Sequence, residues 1–300
     1  MKRVVSVSLG SSKRNHAVET EFLGEKFRIE RIGTDGDMDK AIALIRELDG
    51  KVDAFGMGGI DLYIYSGEKR YVLRDARRIA QAARLTPIVD GSGLKNTLEQ
   101  KVIEYLVANE IIPLKDRKVL MVCGVDRPGM ARALVAAGSR VTFGDLIFGL
   151  GIPVPITSLR SLERVARVLA PLVSQIPFKY LYPTGQKQEE IVPKHSKYYH
   201  EAEIIAGDFH FVRRYMPANM QGKIVITNTV TSEDIEMLRQ RGVSKLITTT
   251  PDLDGRSFGT NVMEGVLVSL AGKAVDQITP SDYGALLDQI GIKPRIVQLS

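Results

Sequence analysis

Short apolar runs alternate with amphipathic stretches along the first third of the chain, a pattern typical of strands and helices in an α/β domain. The run FLGEKFRIERIG predicts a hairpin with Gly24 at its turn, and LYIYSGEKRYVL predicts another with Ser66-Gly67 at its turn. Asp37 is a suitable N-cap for a following helix. The other predicted elements are strands at 3–9, 52–59 and 87–90 and helices at 38–48, 74–84 and 94–109.

The remainder of the chain shows the same alternation of predicted strands and helices. Residues 110–117, EIIPLKDR, contain a proline and four charged side chains and predict a linker. Residues 118–145 then read as strand, glycine turn, helix and strand. The fold class is therefore α/β with an N-terminal domain (1–114), a Rossmann-like nucleotide-binding domain (115–300) and a cleft between them. Further predicted elements are strands near 178–182 and at 203–207, 223–228 and 245–249, and helices at 158–174, 232–241, 260–272 and 280–290, the last packing back on the first domain.

Composition excludes several classes of protein. The chain has 300 residues, of which 44% are hydrophobic, enough for a large core. The single cysteine, Cys123, excludes a disulfide framework, and neither a signal peptide nor an apolar run of membrane-spanning length is evident, so we expect a cytoplasmic protein. The formal charge of +6 is dispersed, which favours a small anionic substrate over nucleic acid or membrane. The four histidines lack metal-ligand spacing, and a homodimer is one option for the oligomeric state.

A glycine motif predicts a nucleotide site. Gly124 and Gly129 have the separation of the outer glycines in G-x-G-x-x-G, and Asp145 follows Gly124 by 21 residues, where a ribose-binding carboxylate belongs. That acid favours NAD over NADP, because a 2′-phosphate would meet a like charge. Asp126 replaces the middle glycine and places a negative charge next to the pyrophosphate, which Arg127 partly offsets. Strand-end residues Thr227, Asn228 and Thr248 complete the predicted cofactor site.

Glycine-rich and small polar loops follow several other predicted strands, where ligands of open parallel sheets bind. Lys95 follows the turn DGSG, and with Asp90 or Asp61 it could exchange a proton with a substrate hydroxyl. Tight turns alone explain any one of these loops equally well. The predicted substrate-binding residues are Ser11, Lys13, Asn96, Thr97, Arg256 and Asn261.

Three runs carry a family resemblance. SLGSSKRNH, DGSGLKNTLEQK and TTTPDLDGRSFGTNVMEG resemble a bacterial group labelled quinate 5-dehydrogenase, and the two-domain layout resembles the quinate/shikimate dehydrogenases. The resemblance implies hydride transfer between NAD(P) and a cyclic polyol acid, with a lysine and an aspartate at the substrate hydroxyl. The Asn-Val-Thr-x-Pro-x-Lys run of shikimate dehydrogenases has no match in order.

The leading hypothesis from the sequence is an NAD(P)-dependent oxidoreductase acting on a small hydroxy or keto acid. Asp126 motivates a second hypothesis, a non-enzymatic ligand-binding protein or sensor with a degenerate Rossmann domain. A transferase with another nucleotide-like cofactor, such as S-adenosylmethionine, is a third, because the fold alone does not separate these functions.

Overall fold

Two α/β lobes, each built on a mainly parallel sheet, enclose a cleft, as the sequence predicted. The computed structural model describes residues 1–66, 69–177, 190–253 and 256–300. In the described residues the first sheet has the order β2-β3-β1-β4-β7, in which β2 alone is antiparallel, and β5 and β6 form a separate hairpin. The strands are β1 (Lys2–Ser8), β2 (His16–Phe22), β3 (Glu25–Gly33), β4 (Ala54–Gly58), β5 (Tyr63–Ser66), β6 (Lys69–Val72) and β7 (Ile88–Val89).

Within the described part of the chain, the second sheet has six strands in the order β15-β12-β11-β10-β8-β9, with β15 antiparallel at one edge. Counted along the chain from β8, the parallel strands follow the order 2-1-3-4-5, which differs from the 3-2-1-4-5-6 order usual for dinucleotide-binding domains. The predicted strand near 178–182 lies outside the described residues. The strands are β8 (Lys118–Met121), β9 (Arg140–Phe143), β10 (Ile204–Ala206), β11 (Ile224–Thr227), β12 (Lys245–Thr248), β13 (Asp252–Leu253), β14 (Arg256–Ser257) and β15 (Arg295–Gln298), with β13 and β14 forming a small hairpin.

Several helices begin at a residue whose side chain caps the first turn. Asp37 caps α1 by accepting a hydrogen bond from Lys40 N, and Thr231 and Thr279 form capping boxes. Two short helices, α6 and α7, and strand β15 were not predicted. The helices are α1 (Met38–Leu48), α2 (Arg74–Ala80), α3 (Ser92–Ala108), α4 (Pro128–Ala136), α5 (Leu159–Val173), α6 (Ser196–Glu201), α7 (Phe209–Tyr215), α8 (Ser232–Gln240), α9 (Thr260–Ala271) and α10 (Pro280–Ile290), and a π-helical turn covers Asp145–Gly149.

The hydrophobic core has three parts because each sheet buries both faces. Alternate residues of β1 point to opposite sides, so Val4 joins a central core whereas Val5 joins the core beneath α1 and α2. Val119 and Leu120 of β8 diverge in the same way. The central core is continuous from one face of the first sheet, through helices α3, α4, α9 and α10, to one face of the second sheet.

Helix α9 reaches the first lobe although it follows the last parallel strand of the second. It packs on β4 and β1, and α10 packs against α3, which itself lies against α4. The chain therefore crosses between the lobes more than once, and the domain boundary near residue 115 stays a prediction. Among the described residues, no helix has the length and apolar character needed to cross a bilayer.

Candidate functional site

The strand orders locate the cleft. In each lobe the first strand of the parallel set, β1 or β8, lies between the second and the third, so the connections at that strand leave towards opposite faces of the sheet. Ligands of open α/β sheets bind beyond the carboxyl ends of the strands at such switch points. The two switch points face one another across the cleft, where a cavity of about 180 Å³ is lined by residues from both lobes. Residues that line it include Ser6, Ser8, Arg14, Arg31, Asp61, Lys95, Asp126, Arg127, Asp208, His210, Asn228, Phe258 and Asn261.

Lys95 is a buried cation that lines the cavity. It lies in the first turn of α3, is 6% exposed, and its Nζ donates to Asp126 Oδ1 at 2.8 Å and to Asp61 Oδ1 at 3.1 Å. Of the two carboxylates that the sequence suggested as partners of Lys95, Asp61 is hydrogen-bonded to it, whereas Asp90 also lines the cavity but binds other groups. Asp90 accepts from Ser92 N and Oγ at the start of α3 and from Leu62 N.

Arg127, directly beside Asp126, is 2% exposed and forms the other half of this charged group. Its guanidinium pairs with Glu99 of α3, donates to Asp208 Oδ2 at 2.9 Å, and lies 3.5 Å from Asp126 Oδ2. We call Asp61, Lys95, Glu99, Asp126, Arg127 and Asp208 the ionic cluster. It contains two cations and four carboxyl groups from four separate segments of the chain.

The surplus of carboxyl groups shifts their pKa values in different directions. Burial, together with the neighbouring Asp126, raises the pKa of Asp61 to about 8. Burial raises the pKa of Glu99 to about 7, although Arg127 opposes the shift. Burial acts on Asp208 in the same direction, but Arg127, His210 and Lys95 together outweigh it and lower the pKa to about 2. Asp126 is also held ionised, with its pKa below the ordinary value despite burial, because Lys95 and Arg127 flank it. The cluster therefore holds ionised Asp126 and Asp208 between two cations and keeps Asp61 largely protonated at neutral pH.

The loop after β10 extends this network. Asp208 caps α7 by accepting from His210 N at 2.9 Å, and Asn228 Nδ2 donates to Asp208 Oδ2 at 2.9 Å. Asn228 Oδ1 in turn accepts from Phe209 N. Two strand ends of the second lobe are thus held together by side-chain hydrogen bonds at the cavity.

The first lobe contributes hydroxyl groups and cations. Ser6 Oγ accepts from Asn261 Nδ2 at 2.8 Å, which joins β1 to the start of α9. Arg31 Nη2 donates to Ser8 Oγ at 3.0 Å. Arg14 Nη1 lies 3.4 Å from His210 Nε2, a contact between the two lobes. The cavity wall is therefore polar on both sides.

The predicted dinucleotide site is not formed, and the reason lies in Asp145. Its two carboxylate oxygens accept from Gly124 N at 3.0 Å and from Val125 N at 2.8 Å. These N–H groups are the ones that a pyrophosphate would need, so the acid predicted to bind ribose instead places a negative charge on the phosphate loop. Asp126, the other acid of the predicted cofactor site, lines the cavity between the lobes and accepts a hydrogen bond from Lys95.

The two glycines of the motif serve protein packing. A Cβ at Gly124 would lie 2.7 Å from the Phe143 ring and 2.9 Å from the Leu162 side chain, and one at Gly129 would overlap the backbone oxygen of Asn96. Gly129 N also donates to Asn96 Oδ1 at 3.0 Å, which fastens α4 to α3. The spacing of the motif thus reflects close contact between elements, and the prediction of an NAD site is wrong.

The other predicted cofactor residues divide between the cavity and the core. Asn228 lines the cavity, but Thr227 and Thr248 are fully buried and donate to the backbone oxygens of Gly207 and Thr250.

Of the predicted substrate residues, Asn261 lines the cavity. Ser11 caps the short 3-10 turn at Ser12–Arg14, Lys13 is exposed, Asn96 binds α4, and Thr97 lies near Gly284 of α10. The side chain of Arg256 lies outside the described residues.

Sequence reasoning did not assign roles to Arg14 and Arg31, which line the cavity, or to Glu99, which pairs with Arg127 in the ionic cluster. Arg14 follows the end of one predicted strand, and Arg31 precedes the end of another. Glu99 lies one helical turn after Lys95, a spacing that places the two side chains on one face of α3. That spacing was the available signal for Glu99. Within the described parts of the chain, no group of three or more potential ligands is arranged to hold a metal ion.

Comparison with known families finds a relationship in sequence over most of the chain. The model of the family described as Domain of unknown function (DUF8754) matches residues 93–299. The chain belongs to this family. A second model, described as Domain of unknown function (DUF8753), matches residues 3–90. Comparison with curated proteins returns no match.

Solved structures similar to the chain are distant. A galactofuranose binding protein is 12% identical, with 97% of this chain and 99% of that chain covered and a TM-score of 0.38. An ABC transporter solute binding protein from Agrobacterium vitis with bound allitol is 11% identical, covering 100% and 96%, with a TM-score of 0.40. A glutamate dehydrogenase from Thermus thermophilus is 13% identical, covering 97% and 73%, with a TM-score of 0.42.

These findings correct the predicted family. The two matching family models describe domains of unknown function, and neither is a quinate or shikimate dehydrogenase family. The predicted oxidoreductase activity fails on the molecule's own geometry as well, because Asp145 closes the loop on which the cofactor depended. Of the hypotheses drawn from the sequence, the ligand-binding protein is the one that agrees best with the structure.

Proposed function

We propose that the protein binds a small polar ligand in the cleft between its lobes and does so without a nucleotide cofactor. The observation that carries this proposal is the convergence of two switch points on one cavity, with buried polar side chains contributed by both sheets. Sites for drug-sized ligands commonly have volumes of roughly 300–1,000 Å³. A cavity of about 180 Å³ suits a smaller metabolite.

The polarity of the wall supports a ligand with several hydrogen-bonding groups. Asp61, Asp208 and Asn228 present acceptors and an amide to the cavity, while Lys95 presents a donor. The intramolecular contacts of these side chains fix their orientations before a ligand arrives. Such preorganisation favours binding because little side-chain entropy is lost on association.

The test combines nondenaturing mass spectrometry of the purified protein with thermal shift measurements. The probes are gluconate, glucitol, glucose 6-phosphate and NAD. We expect a retained small molecule or a rise in Tm with at least one small probe, since a ligand at about 100 times its Kd stabilises the native state by ~2.7 kcal/mol. NAD should give no rise.

A cavity-filling variant links the result to the cleft. Thr229 lines the cavity, so Thr229→Phe should abolish retention and the rise in Tm. Thr157 is exposed outside the cavity, so Thr157→Phe is the matched control and should keep both. Binding that survives in the Thr229 variant, or stabilisation by NAD alone, would refute the proposal.

A further inference from the structure

The cavity is lined by two chemically different groups of side chains, which we call the arginine end and the cluster end, and this difference bears on the class of ligand. At one end are Arg14 and Arg31, carried by the first lobe, together with His210 of α7. At the other end is the ionic cluster, with Asn228 beside it. The following inference rests on the proposed function, because it assigns the ligand of the same cleft.

At the arginine end, contacts with neighbouring groups orient the two arginine side chains. Arg31 donates to Ser8 Oγ and to Ser11 O, each at 3.0 Å, and these hydrogen bonds orient its guanidinium at the end of β1. Arg14 lies 3.7 Å from Asp234, which Arg213 also contacts at 3.1 Å. A guanidinium offers a planar set of N–H donors that matches the oxygens of a carboxylate or phosphate.

His210 lies between the arginine end and the ionic cluster. Its backbone N–H donates to Asp208, and its Nε2 lies 3.4 Å from Arg14 Nη1. Burial lowers the pKa of His210 to about 4, and Arg14 and Arg31 reinforce this shift while Asp208 and Asp234 oppose it. The imidazole is therefore neutral at physiological pH, and the positive charge at this end comes from the arginines.

The cluster end is unsuited to an anion. Asp126 and Asp208 are ionised there and already engage Lys95 and Arg127. A ligand carboxylate placed among them would be repelled and would compete for the same two cations. A hydroxyl group can both donate to these carboxylates and accept from the Lys95 ammonium or the Asn228 amide.

We infer that the ligand is a small polyhydroxylated acid, with its carboxylate or phosphate at Arg14 and Arg31 and its hydroxyl groups at Lys95, Asp208 and Asn228. The two anion types share the chemistry that the arginines recognise. One carboxylate probe and one phosphate probe distinguish the two anion types.

The experiment measures Kd by isothermal titration calorimetry for two matched pairs of probes. Gluconate is compared with glucitol, which lacks the charge, and glucose 6-phosphate with glucose. We expect the charged member of at least one pair to bind about 10- to 100-fold more tightly, the range for a hydrogen bond to a charged group, and the ratio to fall as salt is raised. The pair with the larger ratio identifies carboxylate or phosphate.

Variants test the assignment of the two ends. Arg31→Gln and Arg14→Gln should bring the charged-to-neutral ratio close to one while the neutral polyol binds as before, and Arg31→Lys should restore part of the ratio. Arg140 lies at the opposite end of the second sheet with its side chain 67% exposed, so Arg140→Gln is the matched control. Circular dichroism melts of each variant verify folding.

The outcomes separate failure of this inference from failure of the proposed function. Equal binding of charged and neutral probes, or an unchanged ratio in both arginine variants, overturns the anionic ligand but leaves a small-molecule cleft. Retention of an uncharged metabolite by the purified protein, with none of the four probes bound, does the same. If no small molecule binds and none is retained, the proposed function itself is refuted.

Discussion

Two buried polar regions of this protein contain carboxyl groups with similar pKa values but different surroundings. In the ionic cluster, Asp61 has a pKa raised to about 8 and faces the cavity beside Lys95. At the junction of α3, α9 and α10, Glu264 also has a pKa raised to about 8, chiefly by burial, but it accepts from Gly91 N and from the Tyr283 hydroxyl. We call Gly91, Glu264 and Tyr283 the helix junction.

The comparison teaches that a perturbed acid does not by itself mark a site. Glu264 is 3% exposed, does not line the cavity, and its two hydrogen bonds join the start of α3 to α9 and α10. Its role is structural. Asp61 differs because it borders a cavity to which two lobes contribute, so position relative to the cleft decides between the two interpretations.

The largest effect on stability is expected when a cation is removed from the ionic cluster. Arg127→Met should lower the free energy of unfolding by about 3–5 kcal/mol, because Glu99 and Asp208 would lose their buried partner. Urea denaturation measures the change. Arg140→Met, on the exposed pair with Asp116, is the control and should change stability by less than about 1 kcal/mol. A comparably small loss in the Arg127 variant would show that the cluster contributes little.

The contact between α3 and α4 positions the two cations and can be tested next. Gly129→Ala should cost about 1–3 kcal/mol, because the added methyl group would overlap the Asn96 backbone and push α4 from α3. Gly149→Ala is the control, since no atom lies near its Cβ position. Equal stability of the two variants, measured by thermal and urea unfolding, would contradict a packing role for Gly129.

The helix junction makes a prediction about pH. Because the folded pKa of Glu264 is about 8 and its ordinary value is 4.5, the neutral form stabilises the fold fully below pH 4.5, and this contribution is lost as pH rises towards 8. The loss has a slope of up to ~1.4 kcal/mol per pH unit. Glu264→Gln should remove that slope from the stability profile between pH 5 and 8, measured by urea unfolding at each pH. The exposed Glu201→Gln should leave the profile unchanged, and an unchanged slope in the Glu264 variant would contradict the assignment.

The sequence predicted the alternation of strands and helices because each element has its own apolar period, and Asp37 caps α1 as expected. The function could not be read in the same way. Gly129 has the spacing of a phosphate loop, but its lack of a Cβ serves contact with Asn96, a residue 33 positions away. Only tertiary packing distinguishes a glycine that admits a ligand from one that admits a helix.

The charged residues show the same limit in another form. The association of Lys95 with Asp61 was among the pairs proposed from the loops, yet Asp126 was interpreted as an obstacle to a cofactor when it is a partner of that lysine. Arg14 and Arg31 lie near the ends of different elements. Arg14 contacts His210 only because the first lobe packs beside the second in the folded protein. Contacts between distant segments leave no local pattern in the chain.

The smallest expected effect is a change in ligand affinity with pH, and it compares Asp61 with Glu264 most directly. Above about pH 8 the ionisation of Asp61 adds a negative charge to the cavity, so an anionic probe such as gluconate should bind about threefold more weakly at pH 9 than at pH 7. Asp61→Asn should remove this decline, whereas Glu264→Gln should keep it, because Glu264 does not line the cavity. Calorimetric titration at both pH values measures the ratio. If both variants removed the decline, or neither did, the two carboxyl groups would be equivalent with respect to binding, and the distinction between a cavity acid and a structural acid would fail.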